Sequence, residues 1–238
     1  MQITILITVH PELSNVYQKA MLCCQSVLDA GNQIQQIFFM HDANYMAVHS
    51  QAKQWSEFAS KHQIELQTCP TTAEQKRICS KEYTIGFLQG GLSRLVDSIL
   101  ESDSVLQLNA DFELNNLDSV TSVLNKKECV FVFESPPKEY SLSAEGINLL
   151  LVFSAFEADV SVVFKGEGVK NIQQDDSHPR YVRRFKALPD FDVDQCFLFS
   201  GLNEDSSVNS SDDLTLDCKM ITEADFSQLT RQKHTLFF

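Results

Sequence analysis

A thiol stands where two kinds of periodicity meet. In residues 63–74, QIELQTCPTTAE, the alternation of Ile64, Leu66 and Thr68 is that of a strand, whereas Pro70 and the capping-box spacing Thr71-x-x-Glu74 announce a helix. Cys69 therefore falls between the carboxyl end of a strand and a helix start. In open α/β sheets ligands and chemistry gather at that edge, and the unpaired N–H groups of the next helix favour an anion. A thiolate is such an anion, and it is the form in which cysteine acts as a nucleophile. Without the thiol's surroundings, a packed structural cysteine is the competing reading. Cys79, further along the chain, is placed either to resolve a disulfide or simply to pack or lie at the surface at a helix start.

Other groups fall near the same edge. His10, before Pro11 at the end of the first strand, either assists deprotonation or is a water-exposed loop residue. His41 and Asp42 follow the apolar run IFFM, near the presumed switch point of the sheet. Gly166-Glu167-Gly168 lacks the third glycine of a dinucleotide fingerprint. The seven cysteines (23, 24, 69, 79, 129, 196, 218) include no CxxC and no Cys/His pair at zinc-ligand spacing. Those in AMLCCQSVL and KKECVFVF read as small buried hydrophobes.

The elements that position these groups recur. QITILITV, NVYQKAMLCCQSVLDAG with Gly31 as its stop, IFFM, a Trp55/Phe58 helix and the Cys69 strand run in βα alternation. The stretch 82–108 then reads as one helix, with Leu92, Leu95, Val96 and Ile99 on a stripe, ending in strand VLQL. CVFVFES, SAEGINLLLVFSAFEA, VSVVFKGEGVKNI, RYVRRFKALPDF, DVDQCFLFSGL and HTLFF repeat that order. Phe38-Phe39 and Val163-Phe164 stand 125 residues apart, and Asp42 and Glu167 keep that offset. A βα plan repeated at domain length implies two small α/β domains, 1–108 and 129–238, joined by an amphipathic connector over 109–128 and packed as a pseudo-dimer. NEDSSVNSSDD, 203–213, reads as a surface loop.

Charge narrows the tasks. The net charge is −13, with 7 basic and 13 acidic side chains in residues 1–125 and 12 and 19 in residues 126–238. Acidity in both halves disfavours direct binding to a phosphate backbone. The exception, Arg180-Tyr-Val-Arg183-Arg184, reads as a solvated helix face, with contact to an acidic partner as the alternative. The start MQITILITVH has no basic segment, and nowhere do eighteen apolar residues follow one another, so neither a signal peptide nor a membrane span is expected. The expected location is the cytoplasm.

Taken in order, these segments resemble the DsrE/DsrF (TusD/TusC) sulfur-relay family. IFFMHDANY, LQTCPTTAEQKR and GFLQGGLSRLVDSILESDSVLQL resemble its TusD/DsrE subunit; SAEGINLLLVFSAFEADVSVVFKGEGV and RYVRRFKALPDFDVDQCFL are similar to TusC/DsrF. The resemblance implies two flavodoxin-like, DsrE/F-like parallel-sheet domains in tandem, and a cysteine, here Cys69, that carries sulfur as a persulfide. It further implies a sulfur donor, an acceptor carrier protein, a TusB/DsrH-like subunit from elsewhere, oligomeric assembly, and either tRNA thiolation or sulfur oxidation as the pathway. Persulfide exchange needs no metal or organic cofactor. Aligning LQTC with CFLF places Phe199, followed by Ser200, where the second half would carry a thiol, and leaves Cys196 in the core. Alkylation is accordingly expected to strike Cys69 before Cys196 or Cys218. The competing functions are a binding or assembly module on the same fold and a dithiol oxidoreductase using Cys69 and Cys79.

Overall fold

The computed structural model describes residues 1–110, 122–136, 138, 141–173, 179–199 and 214–238, with the side chains of 14–16 and 179–181 excepted. The chain divides into two compact units, Met1–Val123 and Leu124–Phe238. Most of the expected connector and the whole of the 203–213 loop lie outside the described residues.

Unit one runs β1 (Gln2–Ile7), α1 (Ser14–Asp29), β2 (Gln33–Phe39), α2 (Ala52–His62), β3 (Glu65–Thr68), α3 (Pro70–Gln75), β4 (Phe87–Gln89), α4 (Leu92–Glu101) and β5 (Ser104–Leu108). A 3-10 stretch, His41–Val48, follows β2. All paired strands are parallel, in the order β4-β3-β2-β1-β5. Period-2 alternation sends Ile3, Ile5, Ile7, Ile37, Phe39 and Leu66 into one cluster with Tyr17 and Trp55 from α1 and α2. Phe39 and Trp55 meet edge to face at 5.5 Å. Side chains of this size each contribute about 1.5–3 kcal/mol on full burial. On the other face, under α4, the Thr4 hydroxyl is 2.7 Å from those of Ser98 and Ser102.

Unit two runs β6 (Glu128–Phe133), α5 (Leu142–Ala155), β7 (Asp159–Phe164), α6 (Pro179–Lys186), β8 (Gln195–Phe199), β9 (Lys219–Ile221), α7 (Glu223–Thr230) and β10 (His234–Phe237), with a 3-10 stretch Gly166–Asn171 after β7. Its parallel order β10-β6-β7-β8-β9 is that of unit one, with β6 to β10 in the places of β1 to β5. The fold is thus α/β throughout, two parallel sheets flanked by helices, as the repeated pattern implied.

Two local expectations change. Residues 82–108 do not form one helix before their strand. Gly86 takes φ +103°, and at Gly90 a Cβ would collide with the Gln67 side chain, so the chain fits a short edge strand, β4, and α4 starts only after Gly91. Thr71 and Glu74 form no capping box, because α3 begins earlier, with Cys69 at its N-cap and Pro70 in the first turn. The box that does form lies in α7, where Thr222 and Asp225 cap each other's backbone. Gly31 stops α1 as expected, at φ +79° with its N–H on the Leu28 carbonyl.

Candidate functional site

Cys69 is the hinge residue between β3 and α3. Its carbonyl accepts the Ala73 N–H at 2.9 Å, the first closed turn of α3. Pro70 has no N–H, so Thr71 and Thr72 supply the amides that an α-helix leaves unpaired at its start. Thr68, just before the thiol, is held by its hydroxyl, 3.2 Å from the Tyr83 hydroxyl and 3.3 Å from the Leu88 carbonyl. Cys69 itself is only 3% exposed.

The carboxyl edge of the same sheet carries a polar cluster. Lys76, the residue that ends α3, donates to the Asp42 carboxylate at 2.5 Å, and His41 Nδ1 lies 3.4 Å from the other Asp42 oxygen. Burial pushes the Asp42 carboxyl up. The Lys76 hydrogen bond and the charges of His41, Lys76 and His10 outweigh it and hold the carboxyl below its ordinary range. Tyr45 completes the group, its ring 5.0 Å from that of His10 and 5.9 Å from the Lys76 ammonium. The ion pair ties the end of α3 to the 3-10 stretch that follows β2. His10, His41 and Asp42 are therefore brought together as their strand-end positions implied. Tyr45 and Lys76 were not legible as partners, because they meet Asp42 and His10 only once the sheet is assembled.

The remaining thiols divide by burial. Cys23, Cys24 and Cys129 are buried. Burial pushes Cys23 up to about 12, and it drives Cys24 and Cys129 well above the ordinary thiol range. Cys79 is an exposed free thiol and Cys218 a half-buried one. Exposure therefore runs against the expectation that alkylation strikes Cys69 before Cys218. Gly168 serves packing: a Cβ there would run into the Phe133 carbonyl, so the glycine lets the 3-10 stretch close over the end of β6. Of the basic run, Arg183 and Arg184 are exposed on α6, with Arg184 donating to Asn148 at 3.0 Å.

Strand register fixes the counterpart of Cys69. In unit one Phe39 pairs with Ile7 and Thr68; in unit two Phe164 pairs with Phe133 and Leu198. The residue after Leu198 is Phe199, whose ring packs at 5.3 Å against Phe226 of α7 and at 5.5 Å under the Lys165 ammonium. An aromatic ring cannot replace a thiol chemically, so the second strand end is built for packing.

Two flavodoxin-like units define a repeated α/β protein in which one copy carries a thiol just past the end of its third strand and the other a phenylalanine. The chain belongs to the DsrE/DsrF-like family, whose pattern residues 127–238 match. It is similar to a "Sulfurtransferase TusD homolog" of Aliivibrio fischeri, 29% identical over 114 residues, covering 40% of this chain and 88% of that protein. It is also similar to "Protein TusC" of Buchnera aphidicola, 33% identical over 101 residues, 40% of this chain and 85% of the relative. To "Protein TusC" of Klebsiella pneumoniae it is 35% identical over 77 residues, 30% and 65% of the two chains. Among the described residues no helix is long and apolar enough to cross a membrane.

Proposed function

We propose that the chain is a sulfur-relay protein that accepts a sulfane sulfur on Cys69 and passes it to a carrier protein, in tRNA 2-thiolation or in sulfur oxidation. The observation that carries this reading is the placement of Cys69 as N-cap of α3 at the carboxyl end of β3. It is supported by similarity to a protein named as a sulfurtransferase. The Cys69 thiolate attacks the outer sulfur of a donor persulfide, the donor leaves as a thiolate, and Cys69 holds an S–S⁻ at the start of α3. An acceptor thiolate then attacks that outer sulfur, and Cys69 returns as the thiolate. Both steps conserve charge and need no outside oxidant. At 3% exposure the thiol is reached only through a local opening around it. A donor, an acceptor and a TusB/DsrH-like subunit are the partners this reading calls for, and the cytoplasm is the compartment that keeps its thiols reduced.

The test is to incubate the reduced protein with a small persulfide donor and map it. Peptide 62–76, released by trypsin, contains Cys69 alone among the cysteines and should gain one sulfur atom. Cys69→Ser should abolish the gain while keeping the fold. No uptake by the wild-type protein, or equal uptake by the variant, would remove the relay reading. The burial of Cys69 favours a second reading, a binding or assembly module that keeps the fold without the chemistry; it predicts no loading and a strongly destabilised Cys69→Ser.

A further inference from the structure

Unit two holds a second thiol arrangement. β8 and β9 run parallel with Phe197 opposite Lys219 and Leu198 opposite Met220. One step back along both strands, Cys196 stands opposite Cys218. Neighbouring strands lie about 4.8 Å apart, inside the roughly 4.4–6.8 Å between Cα atoms that a disulfide spans, and side-chain alternation sends both thiols to one face. The equivalent positions in unit one are Leu66 and Phe87, which pair directly across β3 and β4 in the buried core. Two cysteines thus replace a packed apolar pair. Both are reduced, and the Cys196 thiol donates to the Val193 carbonyl at 4.0 Å.

We propose that Cys196 and Cys218 are an oxidation site that closes reversibly into a disulfide between β8 and β9, with a hydroperoxide as the oxidant. One thiolate attacks the peroxide oxygen; the O–O bond breaks, a sulfenic acid forms, and the alkoxide or hydroxide leaves with a proton. The second thiol attacks the sulfenic sulfur, and hydroxide leaves with its proton as water. Two thiols are oxidised by two electrons, one O–O bond is reduced, and nothing else is consumed.

Accessibility suits a small oxidant. Cys196 is 5% exposed, whereas Cys218 is half-buried, at the start of the edge strand of its sheet. The neighbouring Cys218 thiol holds Cys196 below the ordinary thiol range, against burial and the Asp194 and Asp217 charges; either thiol of the pair can attack, and the other resolves. The pair lies on the unit that lacks the strand-end thiol, so this site is independent of sulfur transfer at Cys69.

The experiment treats the reduced full-length protein with a modest excess of hydrogen peroxide, blocks remaining thiols and maps the digest. Trypsin releases 187–219 with both cysteines on one peptide. That peptide should lose two hydrogen atoms, stay joined after cleavage at Glu204, and return to the dithiol form with dithiothreitol. Cys218→Ser should abolish the loss, and Cys69→Ser should leave it intact whether or not Cys69 carries sulfur. Oxygen added to Cys196 or Cys218 without a link, or Cys218 joined to Cys69, Cys79 or a second chain, would overturn the proposal.

Discussion

Cys69 and Phe199 occupy the same place in two copies of one sheet. Each follows the residue, Thr68 or Leu198, that pairs with the last residue of the neighbouring strand, Phe39 or Phe164. One copy follows its strand with a buried thiol, and the other ends its strand in a ring clasped between Phe226 and Lys165.

Truncating that ring tests the division of labour. Phe199→Ala removes an edge-to-face aromatic pair and part of the packing against α7, with an expected loss of about 1–3 kcal/mol. Urea unfolding measures it. Persulfide loading at Cys69 should be unchanged, and a loss of loading would show that the second strand end takes part in the chemistry.

Removing the charge at Asp42 tests the anchor of α3. The pair with Lys76 is partly screened by solvent, so Asp42→Asn is expected to cost no more than about 1 kcal/mol. The folded carboxyl lies below its reference value of 3.8. Its contribution is therefore complete above that pH and is lost as pH falls through the folded value. Wild type and variant should differ in urea midpoint at pH 7 and converge below about pH 3.8; a constant gap would mean that the effect is steric.

A buried histidine sets the response of unit two to mild acid. His234 is fully buried, neither ring nitrogen has a hydrogen-bond partner among the described residues, and burial together with the Lys126 charge lowers it from 6.5 to about 4. Between those values the unfolded chain binds the proton and the folded chain does not. Stability therefore falls as pH drops through that window, by up to about 3 kcal/mol at roughly 1.4 kcal/mol per pH unit. His234→Leu should flatten this slope in urea titrations from pH 7 to pH 4. Parallel slopes would assign the acid sensitivity elsewhere.

Thiol accessibility orders the alkylation pattern. Brief, limiting iodoacetamide should label Cys79 first, on peptide 78–81, and Cys69 only later, because the former is exposed and the latter buried. Time-resolved peptide mapping gives the order. Early labelling of Cys69 would show that its surroundings open readily in the resting protein.

Sequence pattern carried the alternation of strands and helices, the offset between the halves and the junction at Cys69, because each rests on local periodicity. What escaped it depends on contacts between distant segments. β4 has three residues between glycine-bearing turns, and its conformation is decided by β3 beside it. The capping box was legible at Thr71, yet α3 starts at Pro70 because β3 ends one residue before Cys69. Asp42 and Lys76 are far apart in the chain and meet only in the folded sheet. Cys196 read correctly as a core position, but its pairing with Cys218 required the register of β8 on β9.

The duplication also governs stoichiometry. Because both units are encoded in one polypeptide, every ribosome that finishes the chain delivers one Cys69-bearing copy and one Phe199-bearing copy. Their ratio is set at translation, and neither unequal expression nor dilution can shift it. Partners built from separate subunits must reach the same balance through affinity and synthesis rates; here a peptide bond does it, at an effective concentration that does not vary with the amount of protein in the cell.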